Sequence, residues 1–386
     1  MEHKRAEFDD IRPFNDDEVA PKLAELVEDP EFVNVFKTTL TDMSWDKVKS
    51  ILLSFRNIYD FQHTVIKETV FDLLSKTAGK VDCSGFENIS KTENYTYISN
   101  HRDIVLDASI LCVLLSEAGY DTCEICLGDN LLASPWITTI LRLNKGVVVK
   151  RGVGTRQQYE VSKQLSEYIH YTINEKKQSI WIAQREGRAK NSDDKTQSSV
   201  LKMLSLGGSK SFLENLMTVS IAPVALSYEY DPCDFLKARE YQLKRDNPEY
   251  KKTTEDDVIN MRTGILGQKG NIHFQIGRPI NTSLEKIDKD LDKNELVTQV
   301  SALIDKEIYL NYHFYPINYV AYDKLWGNNE FFRSKYTDEE MKDVEKYFLQ
   351  RLDMIDIPEK DTPFLMEKLL EMYAFPVKNY LNAIEE

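Results

Sequence analysis

"ISNHRDIVLDASIL", residues 98–111, joins two kinds of local order. The residues leading into it, "YTYIS" (95–99), are aromatic and β-branched, which suits a short strand. The residues leading out, "DASILCVLLSEAG" (107–119), set apolar side chains at helical spacing and end on Gly119, a natural helix stop. Between them stand His101, Arg102, Asp103 and Asp107. A strand that feeds a helix through a polar turn is the unit of an α/β sheet. Polar residues at the carboxyl end of such a strand sit where these sheets hold ligands.

Outward from this unit the alternation recurs. "EICLG" (124–128) predicts a strand, "SPWITTILRL" (134–143) a short helix and "GVVVKR" (146–151) a strand. "TRQQYEVSKQLSEYIHYTINEK" (155–176) predicts a long amphipathic helix, followed by strands at "SIWIAQ" (179–184) and "VSIAPVALSYE" (219–229). "NIHFQIGRPI" (271–280) alternates like a late or edge strand. The expected fold is therefore α/β, a mostly parallel mixed sheet flanked by helices. Residues 1–80 form a helical N-terminal region, with Thr41 or Asp42 as a candidate helix cap and Gly79 as a stop. The α/β domain is expected over 81–284 and a helical, tyrosine-rich C-terminal extension over 285–386. The polar stretch "KAREYQLKRDNPEYKKTTEDD" (237–257) predicts an exposed helix and loop.

Bulk properties narrow the function. A chain of 386 residues can bury one large core and a smaller helical one. A net charge of -14 excludes a general nucleic-acid binder, which needs a basic surface. The opening "MEHKRAEFDDIRPFNDDE" has no apolar core of a secretory signal, and no run reaches the roughly 18 apolar residues of a spanning helix. A cytoplasmic location follows as the expectation, with contact to a membrane surface but no crossing. The Cys123–Cys126 pair has no second pair to complete a zinc site, so both are expected on a buried strand and no metal is expected. His63, His170 and His273 are expected to pack or to face water. Trp136 lines an acyl path or, more simply, packs in a core.

His-Arg-Asp also opens the catalytic loop of protein kinases, and that reading fails. It requires an asparagine five positions after the aspartate, where this chain has Ala108. It requires Asp-Phe-Gly downstream, where Asp234 and Phe235 run into Leu236. A Gly-rich loop and β3 lysine are also missing from the helical residues upstream.

Acyl transfer makes demands that the chain meets. Moving an acyl group from a thioester to a hydroxyl needs a base to take the hydroxyl proton. A neutral histidine does so near pH 7, and a carboxylate on its other ring nitrogen fixes the tautomer. A phosphate on the acceptor calls for cations, and the planar fork of arginine suits it. "RLNKGVVVKRGVGTR" (142–156) carries five cations and no acid, and "IAQREGRAKN" (182–191) follows another strand. Gly187 lets backbone approach a ligand closely.

In these residues the chain resembles the glycerolipid acyltransferase superfamily, which includes glycerol-3-phosphate, dihydroxyacetone-phosphate and lysophosphatidate acyltransferases. "NHRDIVLD" resembles the first family block, a histidine and an aspartate separated by four residues. "GVVVKRG" resembles the second, whose arginine contacts the acceptor phosphate, and "REGR" the third, usually Glu-Gly-x-Arg. "APVALSYE" resembles the fourth, and "NIHFQIGRPI" a closing strand. The matches span roughly residues 80–280. Two departures stand out. Four residues separate His101 from Leu106, not from an aspartate; Asp107 is one further and Asp103 is nearer. The third block is one residue short.

The resemblance implies a transfer of a fatty acyl group from acyl-CoA or acyl carrier protein, as co-substrate, to a hydroxyl of glycerol-3-phosphate or lysophosphatidate in phospholipid synthesis. No further cofactor is implied. His101 would be the base and Asp107 its partner, provided a non-helical turn brings Asp107 back to the ring; Asp103 is the alternative. Arg151 and Arg188, with Arg102 and Lys150, would hold the phosphate. Glu186 and Gly187 would complete that subsite. The irregular first block motivates a second reading, a lipid-binding or scaffold protein that keeps the fold without turnover.

Overall fold

The computed structural model describes residues 6–39, 44–132, 134–152, 154–328 and 330–385. The candidate cap at Thr41 or Asp42 lies outside the described residues. Among the described residues seven strands form one sheet: β1 (Val81–Ser84), β2 (Thr96–Ser99), β3 (Glu124–Gly128), β4 (Gly146–Val149), β5 (Ile180–Ala183), β6 (Ile221–Tyr228) and β7 (Ile272–Ile276). Their order is β1-β7-β6-β2-β5-β3-β4. Strands β6, β2, β5, β3 and β4 run parallel. β7 is antiparallel to β6 and parallel to β1, so the sheet is mixed at one side. All eight residues of β6 are buried, as expected of a central strand covered on both faces. β1 escapes a reading by pattern: "VDCS" is short, half polar and only partly covered.

Two apolar layers sandwich the sheet. One packs the Thr155–Tyr171 and Lys293–Leu310 helices against Ile98, Ile182 and Ala225. The other packs the Leu106–Glu117 helix against Tyr97, Trp181 and Val224. The Leu106–Glu117 helix is buried almost all round, and completely at Ile110 and Leu111. Each of those side chains contributes about 2 kcal/mol of burial. Its carboxyl end turns at Gly119 (φ 76°), where the Tyr120 N–H donates to the Leu115 carbonyl at 2.9 Å. The Lys293–Leu310 helix lies beyond residue 284 in sequence, yet it covers the sheet itself.

Two further clusters flank this core. The N-terminal helices, among them Asp16–Leu26 and Trp45–Ser54, pack around Leu23, Leu52 and Phe61. Trp136 packs there against Phe32, at 5.9 Å between centroids. The C-terminal helices, including Asp338–Asp353 and Thr362–Glu385, pack around Phe348 and Leu369. The Asp234–Asp246 helix joins them, which corrects the expectation of an exposed polar segment. Its Lys237, Glu240 and Gln242 are buried because each polar head has a partner: Asp231, Lys190 and the Glu359 carbonyl. Cys126 is buried on β3 and Cys123 just before it, with Cys123 Sγ 3.6 Å from Cys112 Sγ.

Candidate active site

The parallel strands deliver their carboxyl ends to one edge of the sheet, and the site is built there. β2 ends at Ser99, and Asn100 bridges to β6 through both its amide atoms, to the Leu226 carbonyl and N–H. That anchor fixes the next residue, His101. The chain then makes a non-helical turn, and His101 Nδ1 lies 2.8 Å from Asp107 Oδ2. The same oxygen accepts the backbone N–H groups of Arg102 (2.6 Å) and Asp103 (3.0 Å). Asp107 Oδ1 accepts the Tyr228 hydroxyl at 2.8 Å. Asp107 is thus a buried carboxylate with four donors and no room to turn. Its acceptance of the Nδ1 proton leaves Nε2 as the basic nitrogen, and no described group bonds Nε2. Trp181 packs edge-on against the ring at 5.8 Å.

Asp103 does a different job. Its Oδ1 accepts the N–H groups of Val105 (2.9 Å) and Leu106 (2.8 Å), at the entry to the Leu106–Glu117 helix. Burial pushes its carboxyl up, and the charge of Asp107 adds to this. Gly264 of the Thr254–Leu266 helix presses on its other oxygen; an added Cβ there would lie 2.3 Å from Oδ2. The geometry therefore joins His101 to Asp107 across the longer spacing.

The cations divide. Arg188, on the loop after β5, is largely buried, and its Nη2 donates to Asn260 Oδ1 at 3.2 Å. Burial opposes its charge, but Cys233, Asp231 and Asp103 outweigh that and push it up. Since β5 neighbours β2, this loop stands beside His101. Arg151 follows the end of β4, a strand three spacings or about 14 Å from β2. Its guanidinium crosses back over the end of β3, where a Cβ on Gly128 would lie 2.8 Å from its Cζ. It ends 3.8 Å from Glu186 Oε1. Glu186 is exposed, and Gly187 holds φ 65° at the open tip of the same loop.

Two expected phosphate ligands point elsewhere. Both prongs of Arg102 are taken by buried Asp194, Nη1 at 3.1 Å and Nη2 at 2.6 Å. Tyr312 donates to the same carboxylate at 2.7 Å. A guanidinium so paired has no free fork for a ligand. Lys150 bonds Asp10 on the N-terminal segment. Tyr228 and Asp194, which hold the site's framework, were not singled out from sequence. A hydroxyl at the end of a strand adjacent to β2 was the available signal for Tyr228. Asp194 gave none.

Among the described residues, no group of three or more acidic, histidine or cysteine side chains could hold a metal ion. Nor is any described helix long and apolar enough to cross a membrane.

The arrangement is a fixed imidazole with a free nitrogen on the same sheet edge as two arginines, which can take a proton and hold an anion. Residues 80–227 match the family model described as Acyltransferase. The match opens just before β1 and closes within β6, so it includes His101, Asp107, Arg151 and Arg188. Over this stretch, less than half of the chain, the sequence is similar to acyltransferases. A solved structure, the 1-acyl-sn-glycerophosphate (LPA) acyltransferase PlsC from Thermotoga maritima, matches over 73% of this chain and 91% of that one, at 13% identity and a TM-score of 0.36. No curated protein matches the chain.

Proposed function

We propose that this domain moves a fatty acyl group from a coenzyme A or acyl-carrier-protein thioester to a hydroxyl of a phosphate-bearing glycerol acceptor, in phospholipid synthesis. The observation that carries the reading is the His101–Asp107 contact, with the carboxylate fixed by three further donors. In this reading His101 Nε2 takes the acceptor's hydroxyl proton as the oxygen attacks the thioester carbonyl. The tetrahedral intermediate collapses, and the imidazolium returns the proton to the leaving thiolate. Asp107 holds the tautomer and steadies the imidazolium.

Arg188 and Arg151 hold the acceptor phosphate, and Glu186 aims Arg151. Gly187 keeps the loop tip free of side-chain bulk. Arg102 acts as a positioning residue: its pairing with Asp194 anchors the turn whose N–H grips Asp107. Lys150 ties the end of β4 to the N-terminal segment.

The test is release of free thiol from acyl-CoA or an acyl-carrier-protein thioester with a panel of acceptors. Acceptor-dependent release by the wild type that is lost in His101→Ala supports transfer. Equal release in both proteins, or none with any acceptor, supports the lipid-binding scaffold instead.

A further inference from the structure

A second group of cations gathers between the loop after β5 and the Asp234–Asp246 helix, and the mechanism above does not use it. Its centre is Glu240, a carboxylate whose side chain is 5% exposed on the Asp234–Asp246 helix. Three ammonium groups converge on it. Lys190 bonds Oε1, Lys244 Nζ lies 3.0 Å from the same oxygen, and Lys252 Nζ lies 3.8 Å from Oε2. Lys252 also reaches Asp257 at 3.3 Å. Three cations facing two carboxylates leave a positive surplus, in a chain whose overall charge is -14.

Arg185 adds to the surplus. Its Nε is buried and has no hydrogen-bond partner among the described residues. It opens the same loop after β5 that carries Lys190. Burial pushes the Lys190 ammonium down despite Glu240, and the nearby Lys244 adds to that. An unpaired buried donor and crowded ammonium groups both gain from an added anion. The cluster remains reachable, with the Lys244 side chain 49% exposed.

Its position in the fold limits the ligand. Arg185 and Lys190 bracket Glu186–Arg188 on the loop after β5, the strand beside β2. The cluster thus adjoins the acyl-transfer site without entering it. A coenzyme A thioester has that shape: its reactive sulfur is separated from three phosphate groups by the pantetheine arm.

We infer that Lys190, Lys244, Lys252 and Arg185 form the subsite for the nucleotide phosphates of a coenzyme A thioester. The inference rests on the acyl-transfer reading for its choice of ligand. The acceptor's phosphate has the same chemistry, so the test must separate the two.

Calorimetric titration of the full chain with coenzyme A, pantetheine and glycerol 3-phosphate does so. The variant combines Lys244→Gln and Lys252→Gln; Lys190 still pairs Glu240, so no buried charge is stranded. The wild type is expected to bind coenzyme A at least about tenfold tighter than pantetheine, and the variant to lose about tenfold for coenzyme A alone. Equal wild-type affinity for coenzyme A and pantetheine overturns the inference. So does a variant that binds coenzyme A as the wild type does, or one that instead loses glycerol 3-phosphate. Binding is read without turnover, which keeps the two claims apart. Transfer from an acyl-carrier-protein thioester with no coenzyme A binding sinks the subsite and leaves the reaction standing. Coenzyme A binding in the expected pattern, with no transfer to any acceptor, does the reverse.

Discussion

Among the described residues, two histidines are each bonded through Nδ1 to an aspartate, and their surroundings differ. His101 meets Asp107 at 2.8 Å; His273, on β7, meets Asp82 of β1 at 2.6 Å. The second pair is the shorter, and its Nε2 lies 2.9 Å from Ser84 Oγ, in the order of a serine–histidine–aspartate triad. The carboxylates tell them apart. Asp107 is 1% exposed and held by four donors, whereas the Asp82 side chain is 34% exposed and shares its charge with Lys80 at 2.5 Å. The ring nitrogens differ too. His101 Nε2, at a strand's carboxyl end, has no bond among the described residues, while His273 Nε2 is spent on a serine that is bonded to Gln275. A histidine–carboxylate contact becomes a proton acceptor when the carboxylate cannot be diverted and the free nitrogen faces a ligand. Distance alone does not decide it.

The largest expected effect tests this directly. Asp107→Asn should lower kcat for acyl transfer by about 10³- to 10⁴-fold, because an amide no longer fixes the tautomer or steadies the imidazolium. Asp82→Asn should leave kcat unchanged. Asp103→Asn should cost far less turnover than Asp107→Asn and act mainly on melting temperature, since Asp103 serves the helix entry. Comparable kcat losses at Asp82 and Asp107 would break the comparison, and a greater loss at Asp103 than at Asp107 would reassign the partner of His101.

How much of this contrast was legible in sequence follows from what each feature depends on. β2, β3, β5 and β6 were readable because each is a run of apolar or β-branched residues bounded by polar turns. His101 was readable as a strand-end residue for the same reason. Asp107 was not fixed by spacing, because its return to the ring depends on a turn stabilised by Asn100 and by the N–H groups of Arg102 and Asp103. The roles of Arg102 and Lys150 were obscured because their partners, Asp194 and Asp10, lie 92 and 140 residues away. The buried face of the Asp234–Asp246 helix was hidden likewise, since its polar heads are satisfied by residues as distant as Glu359. A pattern shows which residues are polar; it does not show which have found partners.

An intermediate effect is expected at Tyr228, the fourth donor to Asp107. Tyr228→Phe removes one hydrogen bond of about 1 kcal/mol, which corresponds to a kcat about fivefold lower. The Michaelis constant for the acceptor should not change. The N–H groups of Arg102 and Asp103 stay on Asp107, so the carboxylate remains in place. An unchanged kcat with only a lowered melting temperature would reduce Tyr228 to a packing residue.

The smallest expected effect lies at the sheet edge and concerns stability alone. Burial raises the Asp82 carboxyl, but Lys80 and His273 outweigh it and hold it below the usual carboxylate range. A carboxyl depressed in the folded state stabilises it above the unfolded pKa, and that contribution disappears as pH falls through the folded pKa. The side chain is partly solvated, so the pair is worth about 1 kcal/mol or less. Asp82→Asn should accordingly lower urea-unfolding stability by about that amount at pH 7, with the deficit shrinking as the carboxyl of the wild type is protonated. His273→Gln should give a similar deficit at pH 7, with acyl transfer intact. A deficit of several kcal/mol, or one that persists undiminished in acid, would mean that the edge ladder holds the sheet together through packing, and that its resemblance to a triad reflects structural rather than surface chemistry.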